Sequence, residues 1–226
     1  MVARRTVQVV YPSSDGKPMA ENTLQFLWIN TIENNLERLF RDDPDVFVAA
    51  DNLWYPVEGD PAIRQAPDVY VVFGRPKGHR PSYIQHLEGG VPLTVVFEIL
   101  SPGNKKPEMD EKLRFYDEYG VEEYYVYDPQ KEKLTAYLRG RAALRKVRVG
   151  SEFVSPRLGI RFDLTSGALR IYYPDGRPFL TNLERWAESE AAEKRADDER
   201  KRADEEKTRG ERLASKLRAL GIDPEG

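Results

Sequence analysis

Cysteine is absent from the 226 residues, and histidine occurs only at His79 and His86. A disulfide framework is therefore excluded, and zinc sites built on thiolates or clustered imidazoles are excluded or nearly so. The lack of cysteine fits a reducing compartment. No run approaches the roughly 20 apolar residues that span a bilayer. The apolar part of the N-terminal MVARRTVQVV is too short for a signal peptide. A soluble cytoplasmic protein with no membrane partner is the expectation. An excess of either charge is also missing, since 35 Lys and Arg stand against 38 Asp and Glu, for a formal net charge of −3. Such a chain has no bulk attraction to a polyanion, so contact with phosphate must rest on local basic groups. Aromatic residues are plentiful (12 Tyr, 9 Phe, 3 Trp), enough for the core of one ordinary domain plus an appendage.

The chain is organised around Thr94 to Lys112. Val95-Val96-Phe97-Glu98-Ile99-Leu100 reads as a short buried strand with one carboxylate in its middle. An ionised carboxyl group in an apolar interior costs several kcal/mol, by rough estimate, unless cations or donors meet it. The strand breaks at Ser101-Pro102-Gly103-Asn104, and a helix carrying Lys112 follows over about Glu108 to Tyr119, with Gly120 as its stop. Met109, Leu113 and Tyr116 make its buried side. Glu98 is then either half of a structural ion pair or a ligand for a hard divalent cation. The second reading requires another acid on a neighbouring strand.

Upstream, Thr6 to Tyr11 alternates like a strand, and Ser13 to Pro18 is a turn. The spacing of Leu24, Leu27, Trp28, Ile32, Leu36 and Leu39 predicts a helix over Ala20 to Phe40, with Glu21 in its first turn where the helix dipole favours an anion. Val46 to Tyr55 reads as a strand interrupted by Asp51, and Pro67 to Phe73 as an apolar strand opened by Pro67-Asp68. Arg75, Lys77, His79 and Arg80 form a basic loop, the best local candidate for phosphate contact. Short strands are expected at 123–127, 134–138, 143–149, 159–162 and 168–173, the later ones as a meander extending or flanking the sheet.

From Leu183 the composition shifts to Glu, Asp, Lys, Arg and Ala. Opposite charges four apart (Glu190–Lys194, Asp197–Lys201, Asp198–Arg202, Glu205–Arg209) support a solvated helix. A heptad seam through Ala192, Ala196, Glu199, Ala203, Glu206, Gly210, Leu213, Leu217 and Leu220 is too poor in large apolar groups at its middle for a strong coiled coil. Leu183 and Trp186 are expected to anchor the start of this helix, and Leu213, Leu217 and Leu220 to form an apolar stripe that reinforces self-association as a dimer. The domain expectation is 1–182 and 183–226, the second a charged helical tail with at most a weak coiled coil.

The second acid is Asp68, so that paired strands would bring two carboxylates to one face of a sheet. Pro67-Asp68, then Glu98 followed by Leu100-Ser101-Pro102 and Asn104, then Lys112 with Tyr116, then Gly120 to Tyr124 and Asp128-Pro129, resemble the Uma-two endonuclease family of the PD-(D/E)xK superfamily. The resemblance covers roughly Ser13 to Pro178. It implies an α/β, restriction-endonuclease-like fold, a mixed sheet flanked by helices. It also implies metal-binding acids at Asp68 and Glu98, a helix-borne acid matched by Glu21, and a lysine matched by Lys112. The superfamily lysine lies two residues after the second acid, where this chain has Leu100.

The function so implied is metal-dependent hydrolysis of phosphodiester bonds in nucleic acid, DNA being the expectation, with Mg²⁺ or Mn²⁺ as cofactor. Catalytic candidates are Asp68, Glu98, Lys112 and Glu21, with Asp51 as a further acid to be placed. One alternative is a nuclease-fold protein without effective catalysis, acting as an oligomeric binding or scaffold module. Another is a two-carboxylate glycosidase, for which no sugar-stacking platform is identifiable.

Overall fold

Six strands make the sheet on which the first part of the chain is built, in the spatial order β1-β3-β5-β6-β7-β8. They are β1 (Val46–Ala49), β3 (Val69–Phe73), β5 (Val95–Ile99), β6 (Glu123–Asp128), β7 (Lys133–Arg139) and β8 (Leu144–Val147). All neighbours run antiparallel except β5 and β6. A parallel pair needs a crossover, and α2 (Lys106–Glu118) supplies it. A short parallel pair, β2 (Trp54–Tyr55) with β4 (Tyr83–Ile84), lies outside this sheet. The structure is a computed structural model and describes residues 9–16 and 18–219. Two units are distinguished within it, Met1–Phe179 and Leu180–Gly226.

The central strands are apolar on both faces because each face is covered. Odd-numbered Val69, Val71, Val95 and Phe97 meet Ile29, Ile32 and Leu36 of α1 (Thr23–Leu39). Even-numbered Tyr70, Val72 and Val96 meet Tyr116, Trp54 and Tyr124. A period of two thus sorts one strand into two cores. The expected α/β class, a mixed sheet with helices on its faces and a long charged C-terminal helix, is what the chain has.

α1 is rotated from its expected setting. Its buried positions are Gln25, Ile29, Ile32, Asn35 and Leu36, whereas Leu24 and Leu27 are exposed. Two amides displace two leucines because both are bonded inside, Asn35 to Thr31 O and Gln25 to Ile99 O. Asn22 caps the helix by accepting from Gln25 N at 2.9 Å, so Glu21 precedes the helix instead of sitting in its first turn. α2 ends as expected. Gly120, at φ 92°, follows the cap Tyr119, and Val121 N donates to Tyr116 O at 3.0 Å and Gly120 N to Asp117 O at 3.4 Å, the paired bonds of a Schellman turn.

The expected meander divides. β7 and β8 extend the main sheet, while β9 (Glu152–Val154), β10 (Arg161–Asp163) and β11 (Arg170–Tyr172) form a separate antiparallel sheet that adds Phe162 and Ile171 to the α1-side core. Of the expected opening strand, Thr6 to Gln8 lie outside the described residues, and Val9 to Tyr11 form no strand. Pro12 O, just beyond, accepts from Tyr55 Oη and Ser82 Oγ. In the basic loop, Arg75 and Arg80 both bind Glu88, and Lys77 pairs with Glu37.

In the second unit, α3 (Asn182–Ala219) starts at a reciprocal cap. Thr181 N and Oγ1 donate to Glu184 Oε2, and Glu184 N donates to Thr181 Oγ1. Leu183 and Trp186 are 73% and 65% exposed. Leu213 is also exposed; Leu220 and the side chain of Leu217 lie outside what is described. Among the described residues no helix is long and apolar enough to cross a membrane.

Candidate active site

β3 and β5 pair with Val69 opposite Phe97, and that register continued by one residue sets Asp68 opposite Glu98. Opposed residues of an antiparallel pair point to the same face, and here it is the α2 face. Both acids are buried, Asp68 to 8% and Glu98 to 3% exposure.

Glu98 is met by α2. Lys112 Nζ donates to its Oε2 at 2.7 Å, and Tyr116 Oη donates to its Oε1 at 2.5 Å. The two donors are one helical turn apart, the spacing that places them on one face. Tyr116 is fully buried, stacked on Trp54 with centroids 6.4 Å apart. Its hydroxyl is held as a donor, since burial and the Glu98 charge push its pKa well above the usual phenol value. Burial acts to lower the Lys112 pKa, but the adjoining Glu98 and then Asp68 outweigh it and the ammonium is favoured. Lys112 is therefore a fixed cation here and no base.

Asp68 is placed differently. Its Oδ2 accepts from Ile99 N at 2.6 Å, while burial and then repulsion from Glu98 push its carboxyl up to about 8. Gln25 braces this corner, with Nε2 donating to Ile99 O at 3.0 Å and Oε1 accepting from Glu21 N at 2.9 Å. Its amide also bonds to Asp68 and favours the carboxylate. Reading the sequence missed Gln25, because an amide on an amphipathic helix carries no spacing signal of its own.

Asp68 lines a cleft of about 320 Å³ together with Glu21, Gln25, Asp51, Glu108 and Lys112, while Glu98 lies behind Lys112 and outside that lining. Glu21 reaches its wall but holds neither Glu98 nor Lys112. Its carboxylate instead accepts from Ser101 Oγ and lies against Gly103 of the Ser101–Asn104 turn. Asp51, in the left-handed region at φ 52°, lines the same cleft. Burial and then Asp15 raise its pKa, with Lys112 opposing. Leu100 has no chemical group to offer, and the ammonium beside Glu98 comes from α2.

Two hard-oxygen carboxylates that repel one another in a shared buried corner suit a divalent cation, which would offset the charge that raises Asp68. Among the described residues no cluster of three or more Asp, Glu, His or Cys side chains is arranged for a metal. Asp68 and Glu98 are the two carboxylates here that could hold such a cation.

Fold and site together define an α/β protein with a paired-carboxylate and lysine centre on a mixed sheet. The family model Uma2, described as putative restriction endonuclease, matches residues 12–175, and the chain belongs to that family. The matched stretch contains every site residue named above. No curated protein matches the chain. Solved structures similar to it include one described as a putative nuclease belonging to DUF820 from Anabaena variabilis ATCC 29413. It is 12% identical with a TM-score of 0.47, over 63% of this chain and 77% of that one.

Proposed function

We propose that the chain is a Mg²⁺- or Mn²⁺-dependent endonuclease that hydrolyses phosphodiester bonds, with DNA as substrate. The observation that carries this reading is the opposition of Asp68 and Glu98 on one sheet face beside the Lys112 ammonium. Asp68 and Glu98 hold the cation. When bound, a divalent ion lowers the pKa of a coordinated water and neutralises charge that grows on the phosphate. Lys112, fixed as a cation on Glu98, offers a point charge to a phosphate oxygen entering the cleft. Tyr116 holds the other Glu98 oxygen, so the carboxylate is fixed in orientation by two donors of α2. Gln25 keeps Asp68 and the β5 backbone in register with α1.

One observation favours a second reading, a binding module without catalysis. Both Glu98 oxygens already have protein donors, Lys112 and Tyr116. A cleavage assay separates the two readings, with supercoiled and linear duplex DNA, single-stranded DNA and RNA each incubated with Mg²⁺, Mn²⁺ or EDTA. The endonuclease reading expects cleavage of DNA with either metal, none in EDTA, and at least a hundredfold loss in Asp68→Asn. Binding without cleavage under every condition supports the module. Cleavage that survives Asp68→Asn removes the assigned site.

A further inference from the structure

α3 carries a pattern that the candidate site does not use. Asp197-Asp198-Glu199, Arg200-Lys201-Arg202 and Asp204-Glu205-Glu206 are blocks of alternating sign, and Ala196, Ala203 and Gly210 punctuate them at seven-residue intervals. The helix is continuous through this stretch, and residues 186–213 are all exposed. At about 1.5 Å rise per residue, the charge pattern repeats every ~10.5 Å along the axis. Acid and base three or four apart can pair within one helix. Among the described residues, however, α3 makes one such ion pair, Asp197 with Arg200 at 3.8 Å, and none of the four expected at a spacing of four. The bands of charge are left facing outward.

The blocks are related by reversal. A second α3 running the opposite way, centred on Ala203, sets Asp204, Glu205 and Glu206 level with Arg202, Lys201 and Arg200 of that copy. The same mirror brings Lys207 and Arg209 level with Glu199 and Asp197. Between residues 194 and 212 a single level pair has like sign, Arg212 with Lys194. A parallel partner in register would set every block against itself. With Ala196, Ala203 and Gly210 on the line between the helices, about 3.6 residues per turn sets Glu199, Arg200, Arg202, Glu206, Lys207 and Arg209 beside that line. Lys201 and Glu205 fall on the far side of each helix, and the small residues add little apolar surface. We propose that α3 is a self-association surface whose occupant is a second copy of this chain, docked antiparallel in the register centred on Ala203 by charge complementarity. Such a two-fold contact is isologous. Because it is solvent-exposed it is screened by salt, the Debye length falling from roughly 10 Å at 0.1 M to roughly 3 Å at 1 M.

The test uses the full chain and reads mass by light scattering and crosslinks by gel. The expected result is a dimer at low salt that dissociates at high salt. A monomer at both, or a dimer indifferent to salt, overturns the proposal. Arg200→Glu/Lys201→Glu/Arg202→Glu and Asp204→Lys/Glu205→Lys/Glu206→Lys should each be monomeric alone, and their mixture dimeric. Since each helix is no better paired internally in the mixture, rescue there reports contact between chains. A mixture that stays monomeric refutes the register. Orientation is read on a chain that has no cysteine of its own. Ala196→Cys mixed with Gly210→Cys should crosslink under oxidation, and neither should crosslink alone. Crosslinking of Ala196→Cys with itself, as strong as in the mixture, would mean a parallel pair.

Discussion

The chemistry of Asp68 responds strongly to its surroundings. Burial and Glu98 push its carboxyl up to about 8, from 3.8 for an ordinary aspartate. A carboxyl group whose folded pKa is raised keeps its proton in the native state after the unfolded chain has lost it. Its favourable contribution is therefore complete below about pH 4 and is lost as pH rises through about 8. At 1.36 kcal/mol per unit, the whole effect is on the order of a few kcal/mol. In EDTA, Asp68→Asn is accordingly expected to be more stable than the parent near pH 8, with the advantage shrinking toward pH 5. Urea midpoints across that range check it, and an advantage that grows as pH falls would contradict the assigned burial. Magnesium should narrow the gap by stabilising the parent alone. Glu98 was legible in the sequence because a lone carboxylate in an apolar strand is costly, and Asp68 because a partner acid was then required. Gln25 was not, since its importance depends on Ile99 O and Asp68 lying across the fold.

Among the elements, those with strong internal signals were legible and those held by distant partners were not. α2 follows from the spacing of Met109, Leu113 and Tyr116 and from Gly120 as its stop. β9 has three residues, none of them buried, and no period long enough to detect. The buried side of α1 defeated pattern reading because amides take places that leucines were expected to fill. The attachment of the second sheet was equally hidden. Glu123 of β6, 2% exposed, accepts from Tyr125 Oη at 2.7 Å, from Ser155 Oγ, and from Arg157 N at 2.7 Å. These bonds tie the segment after β9 to the main sheet through a buried carboxyl group that, among the described residues, forms no ion pair. Ser155→Ala removes one donor and leaves a buried carboxylate short of a partner, a loss of about 1–3 kcal/mol. Thermal unfolding should show that drop, while the cleavage rate per folded molecule stays at the parent's value because Glu123 lies outside the cleft lining. An unchanged melting temperature would mean that water replaces the hydroxyl.

At the scale of the whole molecule, the two units differ in what stabilises them. The first has two cores, and its buried residues end at Tyr173, with Phe179 packed against the α1-side core. Each buried Leu, Ile, Val or Phe there is worth roughly 1.5–3 kcal/mol, and such cores unfold cooperatively. α3 spans 38 residues yet exposes nearly all of them. It depends on the helix propensity of Ala, Glu, Lys and Arg and on charge pairing, each pair worth about 0.2–0.5 kcal/mol. A helix with so little burial frays progressively instead of melting in one step. Denaturation of the full chain at high salt is therefore expected to be biphasic. A gradual early loss of far-UV ellipticity should precede a sharp transition shared by the near-UV tyrosine signal. A chain ending at Phe179 should lack the early phase and keep the same main midpoint. One coincident transition for both signals would mean that α3 draws stability from the first unit. A lower main midpoint in the shortened chain would mean that the first unit draws stability from α3.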